Sequence, residues 1–460
     1  MVVADRLKGS ALPLLLTMFW IGGVPFFLLF GNRLLGSVLF LHADRVAFLL
    51  AAAPLALATL RGARTLRPLT GVEKAMAAYL AVIFASWATT LPYKGLTVFK
   101  QDADFILTCF IMPYTAFVIA RHTAWSRERI TTCLWVLVAG VGGYLLIFGT
   151  VQYAYDWNFL VPQSLWDVLS ERSRGPFENG GVYGIVVSLL IVLTLFLYLQ
   201  SRARPARALL LMIAIGLVQC VVASKTRAVW IGLPLALLLV ALRYPRIRAV
   251  AALSTAWLLG QLLLAPTVGV DRLGLEQRLV QVEPIHDRVA LTATASSMIG
   301  HRPLFGYGFG MFTFQGDKGD FYTSWGGVSA QSAVYPNNPH NDALNVLILT
   351  GVVGFIPYLA LLWTSWRLLG RNRVRWRFSS PFVAQLAGFT QAAFLVLLVA
   401  GQFHSVMYMS YPQVLFFFLL GIVASDAALT VRAADAPDVV AAPAWMAPSE
   451  TATVAAGAEA

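Results

Sequence analysis

Charge is scarce in this sequence. Only 12% of its 460 residues are Asp, Glu, Lys or Arg, whereas a soluble domain carries charge at about a quarter of its positions. That shortage excludes a chain folded mainly in water, and a hydrophobic content of 58% points to lipid as the main solvent. Cysteine is scarcer still. Cys109, Cys133 and Cys220 all fall inside apolar runs, with no paired spacing in any loop, which excludes a disulfide framework or a cysteine zinc site. The outside loops hold no cluster of histidines and carboxylates at ligand spacing, so none of them reads as a metal site.

What the sequence has instead is long apolar runs. A membrane-crossing helix needs about 20 apolar residues and satisfies every backbone polar group internally. Such runs cover 12–30, 38–60, 75–91, 104–120, 130–154, 181–200, 207–223, 227–242, 248–266, 341–366, 381–400 and 405–429. The expected fold is all-α: a polytopic integral membrane protein of about twelve transmembrane helices. The second run is unusual in holding His42, Asp44 and Arg45, residue types that face a bundle interior or water rather than lipid. Arg6 and Lys8 precede the first run as in a secretory signal, but no small-residue cleavage pattern ends it, so it reads as a first helix. Residues 1–432 form the expected transmembrane domain. From Ala433 the chain is rich in Ala, Pro and Asp without periodicity, and 433–460 read as a disordered cytoplasmic tail.

Orientation follows from Lys and Arg, which concentrate in cytoplasmic loops. With both termini inside, the inside segments hold most of the 34 basic residues and the outside segments most of the 22 acidic ones. Arg61, Arg64, Arg67 and Lys74 anchor one short inside loop, and Arg121, Arg127 and Arg129 another. Arg202, Arg204 and Arg207 anchor a third, Arg243, Arg246 and Arg248 a fourth, and Arg371, Arg373, Arg375 and Arg377 a fifth. The net charge of +12 therefore reflects membrane topology and implies no nucleic-acid partner.

Four outside segments carry candidate chemistry. The largest is the loop of about 267–340 between the ninth and tenth runs, and loops of that length are usually functional or disordered. This one has an amphipathic stretch over Val289–Ile299, the glycines Gly306, Gly308 and Gly310, and many aromatics. No strand precedes the glycines, so a dinucleotide-binding turn fails its context, and a tight turn packed by aromatics remains open beside a functional role. The loop opens its conspicuous part at Arg288 and ends in Asn337-Asn338-Pro339-His340-Asn341-Asp342, the expected N-terminal turn of a long helix. A helix N-terminus attracts phosphate and lowers the pKa of a nearby His. His340 there is either a base for a hydroxyl or a helix cap. The third segment, 174–181, is a turn beginning at Arg174, and the fourth, 224–230, is a tight turn with Lys225 and Arg227. Guanidinium groups bind phosphate bidentately and stay charged. Arg174, Arg227, Arg288 and His340, if they meet, combine diphosphate binding with general base catalysis.

These residues resemble those of the bacterial O-antigen ligases, in the wider group that includes O-antigen polymerases and membrane protein O-oligosaccharyltransferases. The resemblance covers most of the chain. Its most specific markers are His340-Asn341 with Leu344, Gly351 and Gly354, Arg288, and the run from His301 to Gly308. The family commonly has His-Pro where this chain has His301-Arg302-Pro303. The resemblance implies a GT-C-like glycosyltransferase acting at the periplasmic face of a bacterial inner membrane. Its donor would be O-antigen polysaccharide on undecaprenyl diphosphate, and its acceptor a sugar hydroxyl of lipid A-core oligosaccharide. His340 would be the catalytic base, Arg174, Arg227 and Arg288 would bind the diphosphate, and no metal, nucleotide or other cofactor would be needed. Lys225, Asn341, Asp342 and His301 are secondary candidates. A polymerase or a protein O-oligosaccharyltransferase would use the same donor. A lipid or solute transporter, the reading from another class, predicts inverted repeats, and none is visible.

Overall fold

In a computed structural model the chain is almost entirely helical. The structure describes residues 12–28, 42–62, 66–156, 159, 172–177, 179–264, 283–311, 313–317, 321, 324–325, 328–329 and 338–425. The expected tail over 433–460 and residues 267–282 of the expected loop lie outside the described residues.

Among the described residues the long helices are α1 (Leu12–Phe26), α2 (Ala43–Leu60), α3 (Gly71–Ala88), α4 (Leu91–His122), α5 (Arg127–Ala154), α6 (Gly180–Gln200) and α7 (Arg204–Ala223). They continue as α8 (Arg227–Arg243), α9 (Arg248–Leu264), α10 (Glu283–His301), α11 (Asp342–Arg375), α12 (Pro381–Ala400) and α13 (Ser410–Ala424). A hairpin pairing Ser324–Trp325 with Val328–Ser329 is the minor exception. Among the described residues each of the twelve apolar runs overlaps a helix, and α10 carries the amphipathic stretch of the loop. Seven helices, α2, α4, α5, α6, α7, α11 and α12, are long and apolar enough to cross a membrane. The chain is a multi-pass membrane protein.

α6 is apolar on every side and buried almost throughout Gly180–Leu197, as expected of a helix surrounded by others. It packs against α7, α12 and α13, while α3 packs along α11 and the second half of α4 along α13. At that last crossing a Cβ on Gly421 would stand 2.4 Å from the Phe117 carbonyl oxygen, so glycine lets the two backbones touch. Helix ends sort onto two faces. The α6 N-terminus, the α7–α8 turn, the start of α11 and the α12–α13 connection gather at one end, and the start of α3, the end of α4 and the end of α11 at the other.

The polar residues of the second run are placed simply. α2 starts at Ala43 with His42 as its N-cap position, so Asp44 and Arg45 lie in the first turn rather than inside a span. Arg45 pairs with Asp104 at 2.6 Å. Arg121, expected as a surface anchor, is instead buried against Glu73, and it also donates to the Pro68 carbonyl at 2.6 Å. Glu73 in turn completes a capping box with Thr70 at the start of α3.

α11 is broken. Gly351 has φ +60 and ψ −163 inside it, which frees backbone groups that a lipid-embedded helix must satisfy. The glycine-rich turn supplies the partners. Val352 N–H donates to the Pro303 carbonyl at 2.9 Å, Val353 N–H to Leu304 at 3.2 Å, and Tyr307 N–H to Ile348 at 2.8 Å. A Cβ on Gly351 would lie 2.2 Å from the Leu304 oxygen, and one on Gly306, at φ +66, 2.4 Å from the Ile348 oxygen. The turn is thus the piece that fills the break in α11. Asp102, which the sequence did not single out, holds its far edge by accepting Met311 N–H at 2.8 Å.

Candidate functional site

The site is built where α11 begins. Asn341, not His340, is the N-cap: its side chain accepts Leu344 N–H at 3.1 Å. The side chain that caps the helix is therefore that of Asn341. His340 sits at φ +53, and its backbone N–H donates to Asn338 Oδ1 at 2.9 Å. Among the described residues the non-glycine positions with positive φ are His340 and Lys225. Such conformations cost roughly 1–3 kcal/mol each and persist where the surroundings over-determine them, often at functional sites. Both belong to the segments that the sequence singled out.

Burial pushes the His340 imidazole down to about 4, and the nearby Arg288 guanidinium adds to the lowering. Arg288, on α10, is itself held below the ordinary guanidinium value, first by burial and then by the charge of Arg227, with Asp287 opposing. Arg227, Arg288 and His340 therefore form a continuous electrostatic group drawn from α8, α10 and the start of α11.

Arg174 arrives by a different route. Gln152 Oε1 accepts the N–H groups of Arg174 and Gly175 at 3.0 and 2.9 Å, and Gln152 Nε2 donates to the Gly175 carbonyl at 3.0 Å. Ser173 N–H donates to the Ala223 carbonyl at 2.9 Å. The Arg174 segment is thereby fixed beside the Ser224–Thr226 turn that leads into Arg227. Arg174 is only 1% exposed, an unusual placement for a guanidinium and a contrast with a simple interface anchor. Lys225 is likewise buried.

A second imidazole was missed by the sequence. His404 lies between α12 and α13, and its ring stands 6.3 Å from that of His340 at nearly a right angle. A Cβ on Gly181 would lie 3.3 Å from His404 Cε1, so the Arg174 segment reaches this ring as well. Asp342 holds the His404 loop in place: its carboxylate accepts Met407 N–H at 3.0 Å, and its own N–H donates to the Gly401 carbonyl at 2.8 Å. Asn345 Nδ2 donates to Ser405 Oγ at 2.7 Å, and Ser405 Oγ donates to Asn338 Oδ1 at 2.6 Å. Asn341 and Asp342 are thus positioning residues. His301 lies apart, at the far end of α10, about 20 Å from Arg288 at 1.5 Å per residue. There its Nδ1 meets Tyr307 OH at 3.1 Å. Among the described residues no group of three or more His, Cys, Asp or Glu side chains could hold a metal ion.

A desolvated, neutral imidazole beside crowded guanidinium groups can take a proton from a hydroxyl while the cations hold an oxyanion. Residues 213–359, which carry Arg227, Arg288 and His340, match the family described as O-Antigen ligase. This stretch is an O-antigen ligase family domain. No curated protein matches the chain. The domain implies, in general terms, a glycosyl-transferring enzyme. Arg174 and His404, outside the matched residues, are brought to the ligase domain by the packing of α6 and the α12–α13 connection.

Proposed function

We propose that the protein is an O-antigen ligase, moving polysaccharide from undecaprenyl diphosphate to a sugar hydroxyl of lipid A-core oligosaccharide. The observation that carries this reading is the neutral His340 beside Arg288, itself beside Arg227, inside the ligase domain. His340 takes the proton of the acceptor hydroxyl, whose oxygen then bonds to the anomeric carbon of the donor sugar. The bond from that carbon to the diphosphate breaks, and the electron pair leaves with undecaprenyl diphosphate. Arg174, Arg227 and Arg288 bind the leaving group as its charge develops, and neither nucleotide nor metal takes part. Lys225 lends further positive charge. The reading includes twelve spans in a GT-C-like arrangement, an inner-membrane location, the site facing the periplasm, and both termini in the cytoplasm. It also includes the division into a transmembrane domain over 1–432 and a tail over 433–460.

An O-antigen polymerase would share the donor and differ in the acceptor. Purified protein is incubated with lipid-linked polysaccharide and offered lipid A-core and a lipid-linked sugar in parallel. Polymer appearing on lipid A-core is the expected result. Polymer on the lipid-linked sugar instead makes the protein a polymerase, and transfer to neither acceptor removes the reading.

A further inference from the structure

The far end of α11 carries a second concavity with its own chemistry. A cavity of about 990 Å³ lies between the start of α3 and the end of α11, lined by Thr70, Thr364, Arg367, Arg371, Asn372 and Arg375 among others. Its volume is at the upper end of the range of ligand pockets, about 300–1,000 Å³. The three arginines recur every fourth residue, so they share one helix face over about 12 Å. Like charges at that spacing oppose one another. Among the described residues no carboxylate forms an ion pair with any of the three, in contrast to Arg121 with Glu73.

The exposed face of α11 changes character just above this cavity. Ile356, Leu359 and Trp363 are exposed apolar side chains, and the exposed residues at Arg367, Arg371 and Arg375 follow them. Arg367 lies 5.9 Å from the Trp363 ring centre and Arg375 4.8 Å from that of Trp376. Tryptophan at such a transition marks a membrane–water boundary. A ligand that meets both halves is amphiphilic, with acyl chains along Ile356–Trp363 and an anionic head on the arginines.

We infer that this cavity binds the phosphate of an anionic phospholipid, through Arg367, Arg371 and Arg375, at the membrane face opposite His340. Basic pockets between transmembrane helices are suited to such head groups. The inference is independent of the transfer reaction, because its readout is lipid binding rather than glycosyl transfer.

The full chain, purified in a nonionic detergent, is titrated with dioleoyl phosphatidylglycerol, dioleoyl phosphatidylcholine or glycerol phosphate and examined by native mass spectrometry and thermal denaturation. Phosphatidylglycerol is expected to remain bound and to raise the melting temperature, and the other two to do neither. In the triple variant Arg367→Gln, Arg371→Gln, Arg375→Gln, apparent affinity for phosphatidylglycerol should fall at least tenfold. The triple variant Arg202→Gln, Arg204→Gln, Arg207→Gln, which removes the same charge elsewhere on that face, should bind as the unaltered chain does. If the first triple variant does not fold, Arg371→Gln alone should weaken binding about threefold. Equal losses in both triple variants, or full binding by the first, overturn the inference. So does equal binding of phosphatidylcholine, or of glycerol phosphate, which would make the cavity a site for zwitterionic lipid or for free phosphate.

Discussion

The two ends of the helix bundle are both rich in cations, but they handle them differently. At one end Arg121 is buried and answered by Glu73, while Arg367, Arg371 and Arg375 stay exposed. At the other, Arg174 and Lys225 are buried and Arg227 and Arg288 half-buried, and the strongest influences on Arg288 and His340 are burial and positive charge nearby. A buried charge is costly in an apolar setting unless it is paired. Gathering positive charge around a histidine with positive φ is the arrangement that the proposed diphosphate leaving group would use. The Arg121–Glu73 pair serves the packing of α3 against α4.

Removing the base should break the comparison most sharply. His340→Ala is expected to lower transfer by about 100-fold to 10,000-fold, the usual worth of a positioned base, with helical content and melting unchanged. An unaltered rate with purified lipid-linked donor would leave His340 without a catalytic role. Arg288→Gln comes next. Losing one charged contact to the leaving diphosphate should cost about 100-fold in kcat, by analogy with removal of one oxyanion donor. Should KM alone rise while kcat stays constant, Arg288 binds the donor without stabilising its departure.

The opposite end should respond in the other currency. Glu73→Gln leaves Arg121 buried without its counter-charge and is expected to destabilise the fold by about 3–5 kcal/mol, read as a lower melting temperature. The rate per folded molecule should hold. A rate loss as large as that of Arg288→Gln would mean that the two ends are not separate in function.

Much of this contrast was legible in the sequence, for identifiable reasons. The described part of each apolar run overlaps a helix because an unbroken apolar run of about 20 residues can satisfy its own backbone in lipid only as a helix, the alternating pattern of a barrel strand being absent. Arg227, Arg288 and His340 were legible because each stands in a segment between two apolar runs or at the edge of one. The break at Gly351 was not, since one glycine in an apolar run gives little local signal, and its meaning depends on the turn at Pro303–Tyr307 far off in sequence. Asn341 as the true cap follows from backbone geometry at His340 that no composition reveals. His404 stood just before the last apolar run with no motif around it, and only the fold sets its ring near that of His340. Arg121 looked like one more surface anchor because its partner, Glu73, lies on another helix.

The smallest expected effect tests the electrostatics directly. A base works only in its neutral form, so the rate should stay level through the neutral range and fall as pH drops toward about 4, where His340 takes up a proton. The acid limb of kcat/KM reports this group in the free enzyme. Burial is the larger cause of the lowering and Arg288 the smaller. Removing the Arg288 charge favours the imidazolium, so the limb in Arg288→Gln should move upward toward the ordinary histidine value. Because burial persists in that variant, the limb should stop short of that value. A limb that stays where it was, measured on the residual activity of Arg288→Gln, would mean that the guanidinium and the imidazole do not sense each other. The grouping of Arg227, Arg288 and His340 would then lose the link that joins it.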